Sequence, residues 1–383
     1  MSLEHKQLII KAGNLLSEKG LVERTWGNVS IRIDGQCFAI SPTGASYINL
    51  KPEDIPIVNL KYLSFFGGRK PSSELLIHFS IYNNYPNISF ILHTHQRFAS
   101  LLSLFFAKKE GSIEVLDEYK SILGKKIPIA EYAQGGTKNI AENIIKAFNK
   151  SNDYPSLIYT GIVLMASHGV VCFASGFDEA FHIVQTLEEF AKTLILRNLK
   201  NNNIFLEKNG KLQTYTKSTF PDETENYIIN NLCSIIFNES YDISFITLST
   251  LPVSQYIAKE IKIDMFPRIE EFQIRGIPAY FDDAAQIIGA YAILISNAED
   301  IDFLERFSKE LFTKCNVIII AGVGILCFSQ KEDETIYMAS IFEKNALAFL
   351  LSLHNTNIIP LTKENASSLH SSFVQGYSKL KNE

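Results

Sequence analysis

The sequence predicts an α/β protein built from two related domains, and three observations support this fold class. Apolar, β-branched segments of strand length alternate with amphipathic helical segments along the chain. The length of 383 residues is enough for two domains of ordinary size. Several segments of the first half return in the second half at one constant spacing, which indicates an internal repeat.

Composition and charge argue against several classes of protein. The formal net charge is −5, so neither nucleic acid nor an anionic membrane surface is favoured as a partner. No apolar run approaches the length of a membrane span, and the N-terminus lacks the pattern of a signal peptide. The five cysteines are scattered without metal-binding spacing, which is typical of reduced thiols. We therefore expect a cytoplasmic protein.

The elements of the first half follow from hydrophobic periodicity and turn residues. An amphipathic helix (4–19) ends at Gly20, and a β-hairpin turns at Asp34-Gly35. Ser72 or Ser73 is positioned to cap the next helix. The further predictions are strands at 55–60, 88–93, 161–166 and 170–174, helices at 72–83, 98–106, 138–149 and 178–198, and an irregular polar segment at 108–126.

A polar stretch with little secondary-structure pattern divides the chain. We expect a first domain at 1–200, a linker at 201–217 and a second domain at 218–383.

The internal repeat is visible in two pairs of segments. Residues 243–246 repeat the pattern of 88–91, and residues 321–328 repeat that of 166–173. Both pairs lie 155 positions apart, and a spacing held over this distance is not expected by chance. The second domain is therefore predicted to be a copy of the first.

His93 and His95 form a candidate metal site at the end of a predicted strand. In an extended chain, residues i and i+2 point to the same side, so both imidazoles can reach one ion. Metal sites commonly need three or four N, O or S ligands. A lone His-x-His pattern more often belongs to an ordinary edge strand, so the other residues around it decide between the two interpretations.

The second copy lacks the polar residues that make the first copy a candidate site. At the spacing of 155, four positions of the first copy are occupied by non-ligands in the second: Glu74, His93, His95 and His168 correspond to Ile229, Leu248, Thr250 and Val323. The apolar framework around them is retained. The contrast indicates that the histidines serve something other than packing, and that the second copy is structural.

Seven motifs follow one another between about Leu3 and Leu199: TWGNVS, SPTG, KPEDI, KPSSELLIH, HTH, IPIAEYAQGGT and SHGVVCFASGFDEAF. In this order and at these spacings they resemble the class II aldolase/adducin family. The resemblance implies a three-layer α/β/α domain, followed here by a degenerate second α/β copy without metal ligands.

The resemblance also implies roles for individual residues. His93, His95 and His168 would bind Zn²⁺ or another divalent metal such as Mn²⁺, Co²⁺ or Fe²⁺. Glu74 would be the fourth ligand at rest and the acid/base during turnover. The epimerase branch of the family carries Asp at this position, so Glu74 favours the aldolase, dehydratase and decarboxylase members. Phosphate would be bound by three loops, which carry Gly27-Asn28, Thr43-Gly44 and Ser72-Ser73.

These roles imply a metal-dependent lyase that acts on a small phosphorylated sugar. The simplest reaction is a retro-aldol cleavage to dihydroxyacetone phosphate and an aldehyde. Two alternatives stay open: a dehydratase, decarboxylase or epimerase that uses the same metal site, or a non-catalytic, adducin-like scaffold. The family's four-fold ring implies a homo-oligomer, and a chain with a degenerate copy would allow a pseudo-four-fold dimer.

Simpler roles are open for several residues near these motifs. Gly27 and Gly44 fit tight turns as well as phosphate loops. His78 lies on the same helix face as the candidate acid/base, so it is a candidate fifth site residue, but we favour a structural hydrogen bond to the core. Tyr119 and Tyr132 are candidates for the acidic tyrosine that family aldolases take from a neighbouring subunit.

Overall fold

The computed structural model describes residues 2–22, 26–105, 111–151, 159–207, 209–219, 227–239 and 242–377. The chain forms two compact units. The first comprises Met1–Asn201 with Asn355–Ile359, and the second comprises Asn202–His354 with Pro360–Glu383. Within the described ranges, no helix is both long enough and apolar enough to cross a membrane.

The first unit alternates strands with helices. In chain order its elements are α1 (Ser2–Glu18), β1 (Asn28–Arg32), β2 (Cys37–Ile40), β3 (Ile57–Asn59), β4 (Phe65–Phe66), α2 (Leu75–Asn84), β5 (Phe90–Thr94), α3 (Arg97–Leu104), β6 (Gly111–Glu114), α4 (Lys120–Leu123), β7 (Lys126–Ala130), α5 (Lys138–Lys150), β8 (Thr160–Met165), β9 (Gly169–Ala174) and α6 (Phe177–Asn201). Its nine-stranded sheet has the order β4-β3-β2-β1-β5-β9-β8-β7-β6. Of the neighbouring pairs, β7 and β8 run parallel and the others run antiparallel.

Helices cover both faces of this sheet. Val171 and Phe173 of β9 face a core that also contains apolar residues of α2 and α5. Cys172 lies between them in sequence, and its thiol donates to the carbonyl oxygen of Ala180 in α6 at 3.7 Å. Because successive side chains of a strand point to opposite faces, α6 lies on the other side of the sheet from α2 and α5. The three-layer α/β/α prediction is confirmed.

One segment of the first unit that we predicted to be irregular contains regular structure. Residues 111–126 of the segment 108–126 include β6, α4 and the start of β7, whereas residues 108–110 lie outside the described residues. Among the described strands, β6 lies at the edge of the sheet, beside β7. An edge strand needs no continuous apolar pattern, so its polar sequence, GSIE, concealed it.

The second unit has a related order of elements. They are β10 (Leu212–Thr216), α7 (Tyr227–Glu239), β11 (Phe245–Ser249), α8 (Pro252–Glu260), β12 (Arg268–Ile269), β13 (Ile274–Pro278), α9 (Asp282–Ile287), β14 (Tyr291–Ile295), α10 (Ala298–Leu311), β15 (Val317–Ile320), β16 (Gly324–Ser329), α11 (Glu332–Ser352) and α12 (Lys363–Ser372). Its seven-stranded sheet has the order β10-β11-β16-β15-β14-β13-β12.

The two sheets share the register of their central strands. β5 pairs with β9 so that Phe90 lies opposite Ala174, and β11 pairs with β16 so that Phe245 lies opposite Ser329. Each residue of the second pair is 155 positions after its counterpart in the first, the spacing found in the sequence. The parallel pair β7–β8 also has a parallel counterpart, β14–β15.

A helix-capping contact is repeated with the same spacing. The carboxylate of Glu188 accepts hydrogen bonds from the backbone N–H groups of Phe98 and Ala99, both at 2.9 Å, in the first turn of α3. The carboxylate of Glu343 accepts them from the counterparts of those two residues in α8, at 3.0 and 2.6 Å. A carboxylate at a helix N-terminus satisfies donors that lack partners within the helix. This contact needs no metal, so it belongs to the fold.

The segment predicted as the linker, 201–217, is only partly a linker. Its residues 212–216 form β10, the edge strand beside β11, as β1 lies beside β5 in the first unit. The prediction was wrong here because the sequence LQTYT has strand-forming Thr and Tyr but only two apolar residues. Strands β2 to β4 have no counterpart beyond β10 in the described part of the second sheet.

Candidate metal centre

Four side chains from three parts of the first unit converge at the end of β5. His93 lies in β5 and His95 directly after it. His168 lies in the turn between β8 and β9, and Glu74 immediately precedes α2. All four are buried, and one potential ligand atom from each lies within 4.8 Å of the others. The structure therefore brings together the four residues that we predicted as ligands.

The antiparallel pairing of β5 with β9 fixes the ring of His93. His93 lies opposite Val171, and its Nδ1 is 2.8 Å from the carbonyl oxygen of Val170. A carbonyl oxygen only accepts, so Nδ1 carries the proton and donates. The Nε2 atom of His93 then faces the cluster, where it presents a lone pair in the neutral ring and an N–H group in the protonated ring. A metal-binding histidine is commonly oriented by a hydrogen bond of this kind.

A tight turn brings His168 to the same end of the sheet. Ser167 precedes it with a φ of 56°, a left-handed conformation that lets β8 reverse directly into β9. Gly169 follows it where a Cβ atom would lie 2.5 Å from the carbonyl oxygen of Thr94. Only glycine permits this approach of the turn to the end of β5.

The donor atoms fit a divalent cation. The Nε2 atom of His93 lies 2.9 Å from Oε2 of Glu74 and 3.0 Å from Nε2 of His95, and Nε2 of His168 lies 2.8 Å from Oε1 of Glu74. The lone pair of His93 and the carboxylate oxygen repel each other at this distance unless a cation or proton lies between them. Imidazole nitrogens with one carboxylate form a ligand set that Zn²⁺ accepts, and Mn²⁺, Co²⁺ and Fe²⁺ accept it as well.

Electrostatic contacts keep Glu74 ionised. Burial alone would raise the pKa of its carboxyl group, because a buried charge is poorly solvated. The charges of His93 and His168 and hydrogen bonds from both rings act in the opposite direction, and they hold the pKa well below its usual range. Asn28 donates a further hydrogen bond from Nδ2 to Oε2 at 2.8 Å. Glu74 is therefore a carboxylate that can bind a cation or accept a proton.

The three predicted phosphate loops lie side by side. An isolated bridge pairs Pro42 with Pro71. The N–H of Ser72 donates to the carbonyl oxygen of Ser41 at 3.1 Å, and the N–H of Thr43 donates to that of Lys70 at 3.0 Å. The hydroxyl of Ser41 also accepts the N–H of Val29, next to the Gly27-Asn28 loop, at 3.1 Å. The backbone thus assembles segments that are far apart in sequence.

The residues of these loops differ in their solvent exposure. Ser73 is exposed, whereas Gly27, Thr43 and Gly44 are partly buried. Gly27 has a φ of 103°, and a Cβ atom there would lie 2.7 Å from the carbonyl oxygen of His93. Gly27 therefore has a structural reason to be glycine, independent of any phosphate.

Asn28 and Ser72 make contacts that the sequence did not predict. The amide group of Asn28 lies between Glu74 and His78, so its side chain contacts the candidate ligand rather than an open loop. The helix that Ser72 or Ser73 was expected to cap begins at Leu75, with Glu74 at its N-cap position. The hydroxyl of Ser72 instead accepts the N–H of Glu74 at 3.2 Å. The phosphate roles of Asn28 and Ser72 stay predictions.

Gly135 is a residue of this site that the sequence analysis did not assign. It precedes α5, and a Cβ atom there would lie 2.9 Å from Cε1 of His168 and 3.3 Å from Oε1 of Glu74. Gly135 therefore forms part of the wall of the cluster. The available signal was the pair of glycines in the motif QGGT, which suggested only a turn before a helix.

Tyr119, one of the two candidate tyrosines, contacts α6. The hydroxyl of Tyr119 lies 3.4 Å from Oγ1 of Thr193 in α6, and its ring packs against Phe190. Tyr132 is partly buried in the loop after β7. A catalytic role for either tyrosine stays a prediction.

Comparison with known proteins identifies the family. The family model of the class II aldolase and adducin N-terminal domain matches residues 7–195. An L-fuculose phosphate aldolase of Methanococcus maripaludis is 33% identical over 192 residues, which are 50% of this chain and 97% of that protein. The chain belongs to the class II aldolase and adducin family, as the resemblance implied.

Other relatives show that the family contains more than one reaction. A 3-oxo-tetronate 4-phosphate decarboxylase of Haemophilus influenzae is 28% identical over 191 residues, 50% of this chain and 86% of that protein. Among solved structures, an L-fuculose 1-phosphate aldolase is 31% identical with a TM-score of 0.45, and the match covers 52% of this chain and 87% of that chain. The segment matched by the family model lies within the first unit.

Proposed function

We propose that the protein is a metal-dependent lyase that breaks a carbon–carbon bond of a small phosphorylated sugar. The convergence of three imidazole nitrogens and one ionised carboxylate in a single buried cluster carries this proposal. His93, His95 and His168 would hold Zn²⁺ or a similar divalent ion, with Glu74 as the fourth ligand at rest. When bound, such an ion supplies Lewis acidity toward the oxygens of the substrate.

Glu74 would move the proton in this reaction. In a retro-aldol cleavage, a hydroxyl group loses its proton, the carbon–carbon bond next to it breaks, and the new carbonyl group leaves as an aldehyde. The electron pair of the broken bond remains with the keto fragment, whose carbon takes up a proton to give dihydroxyacetone phosphate. The buried carboxylate of Glu74 can hold and return that proton, an effect worth on the order of 10²–10⁴ in rate.

The phosphate of the substrate would bind at the three adjoining loops. Thr43 and Gly44 are partly buried and Ser73 is exposed. The N–H of Thr43 donates to the carbonyl oxygen of Lys70, so Thr43 would contribute its hydroxyl, and Gly44 and Ser73 would contribute backbone N–H groups. Backbone N–H groups in tight turns are suited to phosphate oxygens. Gly27, Asn28 and Ser72 complete the set of phosphate-binding residues that we propose.

The experiment that tests this function is a cleavage assay on zinc-loaded protein. A panel of ketose 1-phosphates would be screened for release of dihydroxyacetone phosphate. We expect Glu74→Gln to lower kcat by roughly 10²–10⁴ while the control Glu53→Gln, at an exposed glutamate of the first unit, retains activity. Protein that binds no divalent metal, or a Glu74→Gln variant with unchanged turnover, would show that the proposal is wrong.

A decarboxylase is the second candidate, and the Haemophilus influenzae relative favours it. A β-keto acid phosphate would lose CO₂ instead of an aldehyde, with the same carboxylate available to protonate the remaining carbon. Adding 3-oxo-tetronate 4-phosphate to the panel separates the two reactions. Loss of CO₂ from this substrate also leaves dihydroxyacetone phosphate, so the co-product distinguishes the reactions. Release of CO₂ from 3-oxo-tetronate 4-phosphate, with no aldehyde released from the ketose 1-phosphates, would favour the decarboxylase.

We further propose that residues 218–383, together with strand β10, are a degenerate copy of the catalytic domain. The shared register of the central strands and the repeated glutamate cap support this relationship. The positions of the four ligands hold Ile229, Leu248, Thr250 and Val323, which offer no comparable ligand set. Two such chains would supply four domains of this fold, so we propose a dimer as the assembly.

A further inference from the structure

A row of buried polar side chains leads from Glu74 into the interior of the first unit. Asn28 donates to Glu74, and the Oδ1 atom of Asn28 contacts Nε2 of His78. The Nδ1 atom of His78 lies 2.6 Å from Oγ of Ser30, which lies 2.9 Å from the hydroxyl of Tyr82. All four side chains are buried, and the ring of Tyr82 also packs against Phe38 in the apolar core.

The donors and acceptors of this row can be assigned in order, beginning at Glu74. The ionised carboxylate of Glu74 only accepts, so the nitrogen of the Asn28 amide must face it. The oxygen of the same amide then faces His78 and can only accept, so Nε2 of His78 carries its proton. Nδ1 of His78 is left as an acceptor for the hydroxyl of Ser30.

The inner end of the row agrees with this assignment. The hydroxyl of Tyr82 can donate to Oγ of Ser30 at 2.9 Å or to the carbonyl oxygen of Ser89 at 3.3 Å. Burial lowers the pKa of His78 to about 3, which leaves its ring neutral near pH 7, as one N–H and one lone pair require. Each group in the row therefore has a partner of the right kind.

The second unit lost the members of this row together with Glu74. Sheet register places Gln213 and Tyr215 of β10 where β1 has Asn28 and Ser30. At the spacing of 155, His78 and Tyr82 correspond to Cys233 and Phe237. The same unit retains the glutamate that caps α8, which is a contact of the fold. The polar row is therefore absent where the metal ligands are absent, although the fold is retained.

We infer that His78 is a positioning residue for Glu74, acting through the amide of Asn28. This inference rests on the proposed role of Glu74. His78 fixes which end of the Asn28 amide faces the carboxylate, and Asn28 then holds Oε2 while His168 lies against Oε1. Without His78, the amide is free to rotate, and its oxygen would repel the carboxylate. Partners behind metal ligands typically account for 10–100-fold in metal affinity or activity.

The test compares zinc affinity and turnover of three variants. We expect His78→Leu to weaken zinc binding, measured by competition with a chelator, by about 10–100-fold and to lower kcat more than it changes KM. His78→Gln should recover most of both, because its amide can donate to Asn28 and accept from Ser30. The control is His370→Leu, since His370 is also buried but lies in the second unit, with its Nδ1 bonded to the carbonyl oxygen of Gln286. His370→Leu should leave zinc affinity unchanged.

The tautomer of His78 can be measured on the wild-type protein, so this test does not require His78→Leu to fold. Nitrogen-15 NMR of the histidine rings should show His78 as the neutral tautomer with its proton on Nε2. The opposite tautomer, or a folded His78→Leu variant with wild-type zinc affinity and kcat, would overturn the inference while leaving the proposed function intact. Wild-type protein that binds no zinc would overturn the proposed function and the role of His78 with it.

Discussion

His78 shows how a single buried side chain can affect stability as well as the site. Its neighbours are Ser30 and Asn28, and the charges of His93 and Glu74 also act on it. Burial disfavours the charged ring and lowers its pKa to about 3, against about 6.5 in an unfolded chain. Between these values, the unfolded chain binds a proton at His78 that the folded chain does not.

The free energy of unfolding should therefore fall as the pH drops from about 6.5 toward 3. For one group, the limiting slope is about 1.4 kcal/mol per pH unit, with stability rising with pH because the unfolded state binds more protons. We expect His78→Gln to make this dependence shallower by up to that amount. Urea unfolding with a chelator present, followed by the fluorescence of Trp26, reports the first unit, because Trp26 is the single tryptophan and is buried there.

The exposed His182 provides the control for this measurement. His182→Gln removes a histidine from the same unit without removing a buried one, so its slope should match that of the wild type. Equal slopes for His78→Gln and the wild type would show that His78 takes up its proton equally readily in both states.

The sequence predicted the ligand residues but not the contacts behind them. His93 and His95 are two positions apart, so strand geometry alone places them together. Asn28 and Glu74 are 46 positions apart, and Asn28 and His78 are 50 apart. Their contact depends on the packing of α2 against β1, which local periodicity does not determine. The residue types alone therefore did not predict the hydrogen bond from Asn28 to Glu74, and they gave His78 only an unspecified structural hydrogen bond.

At the level of elements, the N-terminus of α3 links the fold to the metal cluster. α3 begins at Arg97, two residues after His95, and its first turn is held by the carboxylate of Glu188. Hydrogen bonds to a charged group are worth roughly 1.5–3 kcal/mol. Weakening this cap should loosen the chain at His95 as well as the helix.

We expect Glu188→Gln to lower the stability of the first unit and to weaken zinc binding. An amide offers one oxygen where the carboxylate offers two, and its NH₂ group would face a backbone N–H. The matched variant is Glu343→Gln, which breaks the same contact in α8 of the second unit. It should lower stability but leave zinc affinity unchanged, since that unit has no equivalent ligand set. The zinc affinity of both variants would be measured by competition with a chelator. Equal losses of zinc affinity in the two variants would contradict the predicted link between the α3 cap and the metal cluster.

Buried strands could be predicted from the sequence, whereas edge strands could not. The strand predicted at 88–93 was found as β5, within two residues at either end, because it is buried in the middle of the sheet. The edge strands β6 and β10 were missed because one of their sides needs no partner and their sequences are polar. The repeat could be recognised in the sequence because the central strands that carry it are the most apolar part of each unit.

For the whole molecule, the duplicated architecture predicts how many metal ions each particle carries. Within the described residues, the ligand cluster of the first unit is the one group of this kind, and it contains all four predicted ligands. The proposed dimer would have twice the chain mass of 43.2 kDa and would carry two ions in four domains. A ring of four identical active domains would carry four.

We therefore expect one zinc ion per chain in particles of twice the chain mass. Protein purified without a His tag would be sedimented, and the metal content of the peak fraction measured by elemental analysis. His93→Ala/His95→Ala should abolish the bound metal, because half of the ligand set is lost, whereas the exposed His182→Ala should retain it. Two ions per chain would show that the second unit still binds metal. Particles of one or four chain masses would contradict the dimer but not the single metal site, since stoichiometry per chain is independent of assembly.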